Sequence, residues 1–254
     1  MTRSARWLGL LPLLGLLALW QVAVWQRWYP PVLLPSPMTV ADSFVRFGPT
    51  IAANAWASLM RMIVGVGLAF GVAVPAGLLI GRYRLLDRMT DWSIQAFRSV
   101  PPISLIPLAM LFFGIGDTPA IVLIFVAALW PLLLNTIFRV RGIERTLLKV
   151  AASARASELL VLRDVVLPAA LPAIFTGLRL AIGGGWLTVV TAEMIAVKSG
   201  LGYMILNAQM TFRTELMFAG IIVIGLIGLL ADQVVRRVRA AACRWQDGLT
   251  VSQG

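Results

Sequence analysis

The sequence predicts an all-α integral membrane protein with six transmembrane helices. Three observations carry that prediction. Of its 254 residues, 59% are hydrophobic and only 13% charged, with a mean hydropathy of +0.88, beyond the apolar content of an ordinary soluble domain. Apolar stretches recur along the chain at about the 20-residue length that a helix needs to cross a bilayer. The cations gather between those stretches and on one side. If the N-terminus is cytoplasmic and the six spans alternate, sixteen of the 22 Lys and Arg fall in inner segments, against Arg27, Arg46, Lys198 and Arg213 in outer ones.

The first apolar run, residues 7–26, follows Arg3 and Arg6 and could be a secretory signal peptide. It lacks a small-residue cleavage site and ends in Trp20, Trp25, Trp28 and Tyr29, aromatics suited to a membrane interface, so it reads as an uncleaved first span. Pro30, Pro31, Pro35 and Pro37 then make a stiff extended connector. Thr39 to Asp42 is expected to cap a short amphipathic helix on the outer surface, carrying Val40, Phe44 and Phe47.

The second span, 54–81, is interrupted only by Arg61, and Gly65, Gly67, Gly71 and Gly77 would let a neighbour approach closely. A charged cytoplasmic turn over 82–98 leads to a third span, 99–116, which Pro101, Pro102 and Pro107 should bend. Asp117 marks a tight outer loop, and the fourth span, 118–138, carries no charge. The fifth and sixth spans cover 173–197 and 216–235, and a basic tail with Arg236, Arg237, Arg239 and Arg244 closes the chain. The organisation is therefore an N-terminal unit over 1–53, a core over 54–235 and a cytoplasmic tail over 236–254.

Between spans four and five, residues 149–172 form the one long amphipathic, water-facing segment. As a helix it places Val150, Ala154, Leu159, Leu162 and Val166 near one face. Ala151, Ala152, Ala154 and Ala156 leave a low-relief surface for a partner's backbone, with the later leucines turned inward. Leu167-Pro168 and Leu171-Pro172 should stop this helix and make a rigid corner, because proline lacks an N–H and disfavours the α region in its predecessor.

The segment resembles the EAA loop of the membrane-spanning subunits of bacterial ABC importers. That pattern runs Glu-Ala-Ala, three residues, Gly-Ala-Ser, a spacer, then Val-Val-Leu-Pro-Ala-Ala-Leu-Pro. Ala156-Ser157, the spacer and the stretch from Val165 to Pro172 match it; Lys149 stands at the acid position and Arg155 at the glycine. Elsewhere Ser58-Leu-Met-Arg61, Pro101-Pro102, Phe112-Phe-Gly-Ile-Gly116, Gly177-Leu-Arg179, Ala192-Glu193-Met194 and Gly200-Leu-Gly-Tyr203 look like the nitrate, sulfonate and taurine branch of type I importer permeases.

The resemblance implies a permease with six transmembrane helices and a cytoplasmic coupling helix between spans four and five. It would lie in the bacterial inner membrane with both termini cytoplasmic. Its partners would be a second copy of itself, a cytoplasmic ABC ATPase subunit and an extracytoplasmic substrate-binding protein. The ATPase-coupling residues would be Lys149, Ala151, Ala152, Arg155, Ala156, Ser157, Leu167, Pro168 and Pro172. A small, anionic solute such as a sulfonate, taurine or nitrate would be the cargo.

Other chemistries find little support. One cysteine, Cys243, and no histidine leave few ligands for a metal or haem, and no cofactor is expected. There is no G-x-x-x-x-G-K-[ST] loop, so ATP hydrolysis by that route would need a partner. The net charge of +11 is spread beside apolar runs instead of forming a stripe for nucleic acid.

Candidates for the translocation path are the ionisable residues within spans, Arg61, Arg179 and Glu193, with Thr188 and Thr191 beside Glu193. Arg61 and Arg179 could equally snorkel or cap a neighbouring helix. Glu193 could line a pathway or pair with Arg61. Gly183-Gly184-Gly185 favours close packing over a hinge. The competing class is an ion-coupled secondary carrier using Glu193; a non-transporting membrane scaffold is a third reading.

Overall fold

The computed structural model describes residues 11–243; Arg3, Arg6, Arg244 and the rest of the tail beyond 243 lie outside the described residues. Among the described residues every regular element is helical. In chain order these are α1 Leu11–Trp25, α2 Pro37–Arg46, α3 Gly48–Arg82, α4 Arg84–Arg98, α5 Ile106–Phe113, α6 Asp117–Arg141, α7 Arg145–Ser153, α8 Glu158–Val161, α9 Leu167–Ala196, α10 Leu201–Met210 and α11 Thr214–Ala242. Four helices are long and apolar enough to cross a membrane: α3, α6, α11 and the continuous run Glu158–Ala196. The bent pair Arg84–Arg98 and Pro102–Phe113 makes a fifth if counted as one span.

Helices α3, α6 and α9 form the centre, and small residues bring them together. On α3, Gly65, Ala69, Ala73, Gly77 and Gly81 recur at every fourth position, making one ridge. It meets Ile124, Ala128, Leu132, Thr136 and Val140 of α6, again every fourth residue and all buried. A Cβ on Gly65 would stand 2.6 Å from Ile124 Cγ2; on Gly77, 2.7 Å from Thr136 Cβ; on Gly81, 2.7 Å from Val140 Cβ. In lipid, where apolar surface alone gives helices no reason to associate, such close approach supplies the dispersion contacts that hold them. Helix α9 completes the trio through Gly177, whose Cβ would lie 3.0 Å from the Pro131 carbonyl oxygen of α6.

The glycine expectations divide. Gly65 and Gly77 pack as anticipated, but Gly67 and Gly71 face open space, and Gly81 belongs to the ridge instead. Within the Gly183–Gly185 triplet only Gly185 packs, against Val66 and Ile124; Gly183 and Gly184 have nothing near them.

Two local expectations are corrected, and the expected bend is placed. Of residues 82–98, expected as a turn, Arg82 ends α3 and residues 84–98 are an exposed amphipathic helix, α4, because hydrogen-bonded turns continue up to the Ser99 cap. Pro101 and Pro102 then force a break, and the following 3₁₀ turn and α5 leave α4 at 80°. The bend lies at the start of the expected third span. Helix α2 is capped by Ser36, not Thr39: Ser36 Oγ accepts from the Thr39 N–H at 3.1 Å.

The largest correction concerns Pro168 and Pro172, which do not end a helix. Leu162–Val166 is a π-type turn in which the Leu167 N–H donates to Leu162 O, five residues back, and α9 follows with Pro168 in its first turn and Pro172 inside it. A proline in the first turn forfeits no bond that a regular helix start would make. The break expected at the prolines lies upstream, at residues 154–157.

The α3–α6 ridge gives a contrast of neighbouring sites. Gly77→Val should lower stability by about 1–3 kcal/mol through overpacking against Thr136, whereas Gly71→Val should leave the thermal midpoint in detergent unchanged. Equal midpoints for the two variants would contradict the packing described.

Candidate functional site

Two constellations stand out, at opposite ends of α9. The first surrounds Arg61, which is 4% exposed although it sits on a membrane-length helix. A guanidinium there needs partners for its donors as well as its charge. Its Nε donates to Asp117 Oδ1 at 2.8 Å, one terminal nitrogen donates to Glu193 Oε1 at 2.6 Å and to Ser199 O at 3.0 Å, and the other reaches Ser199 Oγ at 2.5 Å and Asp117 Oδ1 at 2.7 Å.

Glu193 has no exposed surface, and its second oxygen accepts from Ser58 Oγ at 2.8 Å and from the Gly202 N–H at 3.0 Å. The same carboxylate thus neutralises Arg61 and satisfies an orphan donor in the first turn of α10. Ser58 Oγ accepts the Leu201 N–H at 2.9 Å, and Asn54 Oδ1 the Gly200 N–H at 2.8 Å. Helix α10 is therefore capped by side chains of α3 and α9, not by its own sequence.

Glycine is required at two points here. Gly200 has φ +106°, and a Cβ on it would stand 2.3 Å from the Glu193 carboxylate. A Cβ on Gly202 would stand 2.3 Å from Val190 O. On the far side the Gly116 N–H donates to Ala196 O at 3.0 Å, which brings Asp117 beside Arg61. Three motifs, bonded across as many as 143 positions, those around Ser58 to Arg61, Glu193 and Gly200 to Gly202, meet in one cluster.

Of the two readings open for Glu193, the geometry supplies the pair with Arg61. The remaining path candidates lie apart. Thr188 is buried and Thr191 half-buried; their hydroxyls donate to Gly184 O and Leu187 O, each at 3.0 Å, one turn back on α9. Arg179 is exposed and pairs with Asp232 of α11, its Nε 2.5 Å from Oδ1. Asp232 also receives Arg236 at 2.8 Å. The sequence reading passed over Asp232, although it is an acid within the sixth span with a cation four residues on. It read Asp117 only as the mark of an outer loop and gave Asn54 and Ser199 no polar partner, since their partners are remote in sequence.

The second constellation is the turn between α7 and α8. Arg155 takes φ +50°, the left-handed conformation. The Ala156 N–H donates to Ala151 O at 3.1 Å, a six-to-one bond that closes α7 as a Schellman motif. Ser157 is extended, with φ −65° and ψ 151°, and its Oγ accepts a long 3.4 Å bond from Leu160 N to open α8. The pattern of one left-handed residue, one small apolar residue and one hydroxyl is thus a helix stop followed directly by a helix start. Arg155 keeps this conformation without being glycine.

The expected partner-facing surface is differently arranged. Ala151 is buried and Ala156 half-buried, both against an apolar cluster with Val74, Leu78, Val161 and Val166. Val150 and Leu159, expected on the inward face, are instead 64% and 75% exposed, because the turn at 154–157 breaks the single helix that would have aligned them. The side chains of Lys149 and Ala152 lie outside the described part of the structure. Leu167 and Pro168 are half-buried and Pro172 buried within the start of α9. Arg82 reaches Glu158 at 3.4 Å, and Arg141 pairs with Asp87 nearby.

The ion cluster generates a ranking. Glu193→Ala should cost about 3–5 kcal/mol, because it leaves a buried guanidinium short of charge, while Asp117→Ala, whose carboxylate is 66% exposed, should cost less than about 1 kcal/mol. Thermal unfolding of the two purified variants checks the order, and equal losses would refute the assignment of Glu193 as the principal counter-ion.

Residues 73–241 match the family of binding-protein-dependent transport system inner membrane components. The taurine transport system permease protein TauC of Escherichia coli (strain K12) is 34% identical over 237 residues, which cover 91% of this chain and 86% of that one. The putative aliphatic sulfonates transport permease protein SsuC of the same organism is 35% identical over 237 residues, covering 91% and 89%. Among solved structures, a chain of the inward-facing MetNI methionine ABC transporter is similar in fold, with a TM-score of 0.65 at 21% identity, covering 76% of this chain and 96% of that one. Helices packed through small residues, a buried ion cluster and the Ala-Ser turn before α8 thus occur in a chain that belongs to the binding-protein-dependent ABC transporter permeases.

Proposed function

We propose that this chain forms the translocation path of an ABC importer for a small organic or inorganic anion, a sulfonate being the best-supported class. In this reading it lies in a bacterial inner membrane with both termini cytoplasmic. It has six spans, the described helices plus the segment that includes α1, and pairs with a second copy. A separate cytoplasmic ATPase engages the α7–α8 turn, and an extracytoplasmic binding protein delivers the solute. The permease core is the region over 54–235.

The observation that carries this reading is the turn from Arg155 to Ser157, placed at the foot of the 39-residue run Glu158–Ala196. The helix runs without a break through Pro168 and Pro172, so a displacement of α8 is carried on into α9. It is transmitted along α9 to Glu193, about 53 Å from Glu158 at the helical rise of about 1.5 Å per residue. Glu193 is bonded to α3 and α10, so the far end of the bundle moves with the near end. ATP-driven closure of the ATPases would drive that movement, provided that their two states hold the turn in different geometries.

Neutralisation of Glu193 by Arg61 also suits an anionic cargo, since no bare carboxylate faces the path from this position. It speaks against the ion-coupled carrier, for which Glu193 would have to exchange a proton or cation. Sealed from solvent, with donors on both oxygens, it offers no route for that exchange.

The test is co-purification in mild detergent followed by uptake of radiolabelled taurine and alkanesulfonates. A stoichiometric ATPase should remain bound to the native chain and be lost on deletion of residues 149–164. Ala156→Asp, which puts a charge at the closing position of the turn, should reduce ATP-dependent uptake at least tenfold while the protein stays in the membrane. Uptake without any ATPase in vesicles, or normal uptake by Ala156→Asp, would overturn the proposal. Arg155→Gly, compatible with φ +50°, should retain uptake, whereas Arg155→Val should impair it, because a β-branched residue resists the left-handed region.

A further inference from the structure

Between α9 and α11 lies a groove of about 550 Å³ to which the coupling turn and the Arg61 cluster contribute nothing. Its polar end is lined by Arg179 and Asp232, and Arg236 stands one helical turn beyond, paired with Asp232, so that the three form a triad at the mouth of the groove. Asp232 holds both guanidinium groups, Arg179 Nε at 2.5 Å on Oδ1 and Arg236 at 2.8 Å on Oδ2, and the triad keeps a net charge of +1. Both arginine side chains remain about half exposed, at 51% and 54%, so donors not spent on Asp232 face outward. Two guanidiniums fixed in position by one carboxylate form a preorganised fork for a further anion.

The other end is apolar and open. Gly183 and Gly184 have nothing within 4 Å of a would-be Cβ, and across from them Gly228 lies against the Trp186 ring, 3.5 Å from its would-be Cβ. The indole is fixed by its N–H, which donates to Ile224 O at 3.1 Å. From the Ala196 and Thr214 ends, Arg179 and Asp232 lie about 26 Å along their helices at about 1.5 Å per residue. The glycines lie about 6 Å closer to those ends. In a hydrocarbon core of about 30 Å the triad is therefore at the headgroup level of the leaflet opposite the Glu193 cluster, and the glycine slot runs from it towards the midplane.

We propose that this groove is a binding site for an anionic phospholipid, with the phosphate on Arg179 and Arg236 and one acyl chain along Gly183, Gly184 and Gly228. Charge sign, depth and the polar-to-apolar order of the groove all match that molecule. A basic pocket between transmembrane helices is the kind of site that selects anionic headgroups. A water-soluble anion satisfies the arginines but has no use for an apolar slot. The inference depends only on the chain lying in a bilayer and goes beyond the transport reading.

The experiment places the full chain in nanodiscs containing brominated phosphatidylglycerol or brominated phosphatidylcholine of identical chains. The Trp186 signal is the difference between the native chain and Trp186→Phe. Phosphatidylglycerol should quench that signal with about fivefold higher apparent affinity, the order of effect of one interfacial cation on an anionic lipid. Arg236→Gln, which leaves the Arg179–Asp232 pair in place, should remove most of the preference, and Arg236→Lys should restore it. Equal quenching by the two lipids would mean bulk lipid contact. No quenching by either would mean that a second copy of the chain covers the groove. Either result overturns the proposal, as does an undiminished preference in an Arg236→Gln chain that elutes as the native protein does.

Discussion

The charge on Arg61 has to be neutralised inside the protein, and the upper half of the fold is arranged around that requirement. A guanidinium at 4% exposure on a membrane-length helix has almost no water to turn to. Its donors fix Glu193 on α9, Asp117 at the start of α6 and Ser199 in the loop before α10. Glu193 in turn holds the first turn of α10. Four segments remote in sequence are positioned by one pair of opposite charges, and the two glycines at 200 and 202 are there because the carboxylate and the α9 backbone occupy the space their side chains would need.

Below that cluster, the ridge of small residues on α3 does a different job. It brings backbones together without specifying polarity, so α3 and α6 associate through shape while the ion cluster sets their register with α9 and α10. The two devices are complementary in physical terms. Dispersion contacts are many, weak and tolerant of slight sliding; a buried ion pair is single, strong and intolerant of it. Their combination makes α9 an element tied at one end by the ion cluster and continuous at the other with α8, which is the mechanical form the transport proposal uses.

Much of this was legible from the chain, but unevenly. Long apolar helices stand where spans four to six were read, because long apolar runs between cations leave few alternatives, but the fifth begins well before residue 173 and the sixth runs on past 235. The third span was not, since α4 is amphipathic and charged and its helical character depends on spacing that a count of charges conceals. The prolines at 168 and 172 misled for a related reason: proline reports a missing N–H, and only the neighbouring geometry tells whether the helix notices. In the ion cluster, Arg61 and Glu193 were visible as charges out of place. Ser58 was visible only as part of a motif, and Asn54 and Ser199 not at all, because a polar residue whose partner lies some 140 positions away leaves no local pattern. The Ala-Ser turn was recognisable by resemblance, while the left-handed backbone at Arg155 that explains it is not encoded by any residue preference.

The π-type turn at Leu162–Val166 carries a consequence for phase. A wider turn accommodates one residue more than a regular helix does over the same length, so everything upstream is rotated by about 100° about the axis relative to an uninterrupted helix. That angular offset bears on which side chains of α8 look out: Leu159 is exposed while Val161, with Val166 of the turn itself, joins the interior. The chain thus sets the azimuth of the exposed face of α8 with one wide turn, upstream of the start of α9. Related permeases with or without this extra residue would present different faces from the same scaffold.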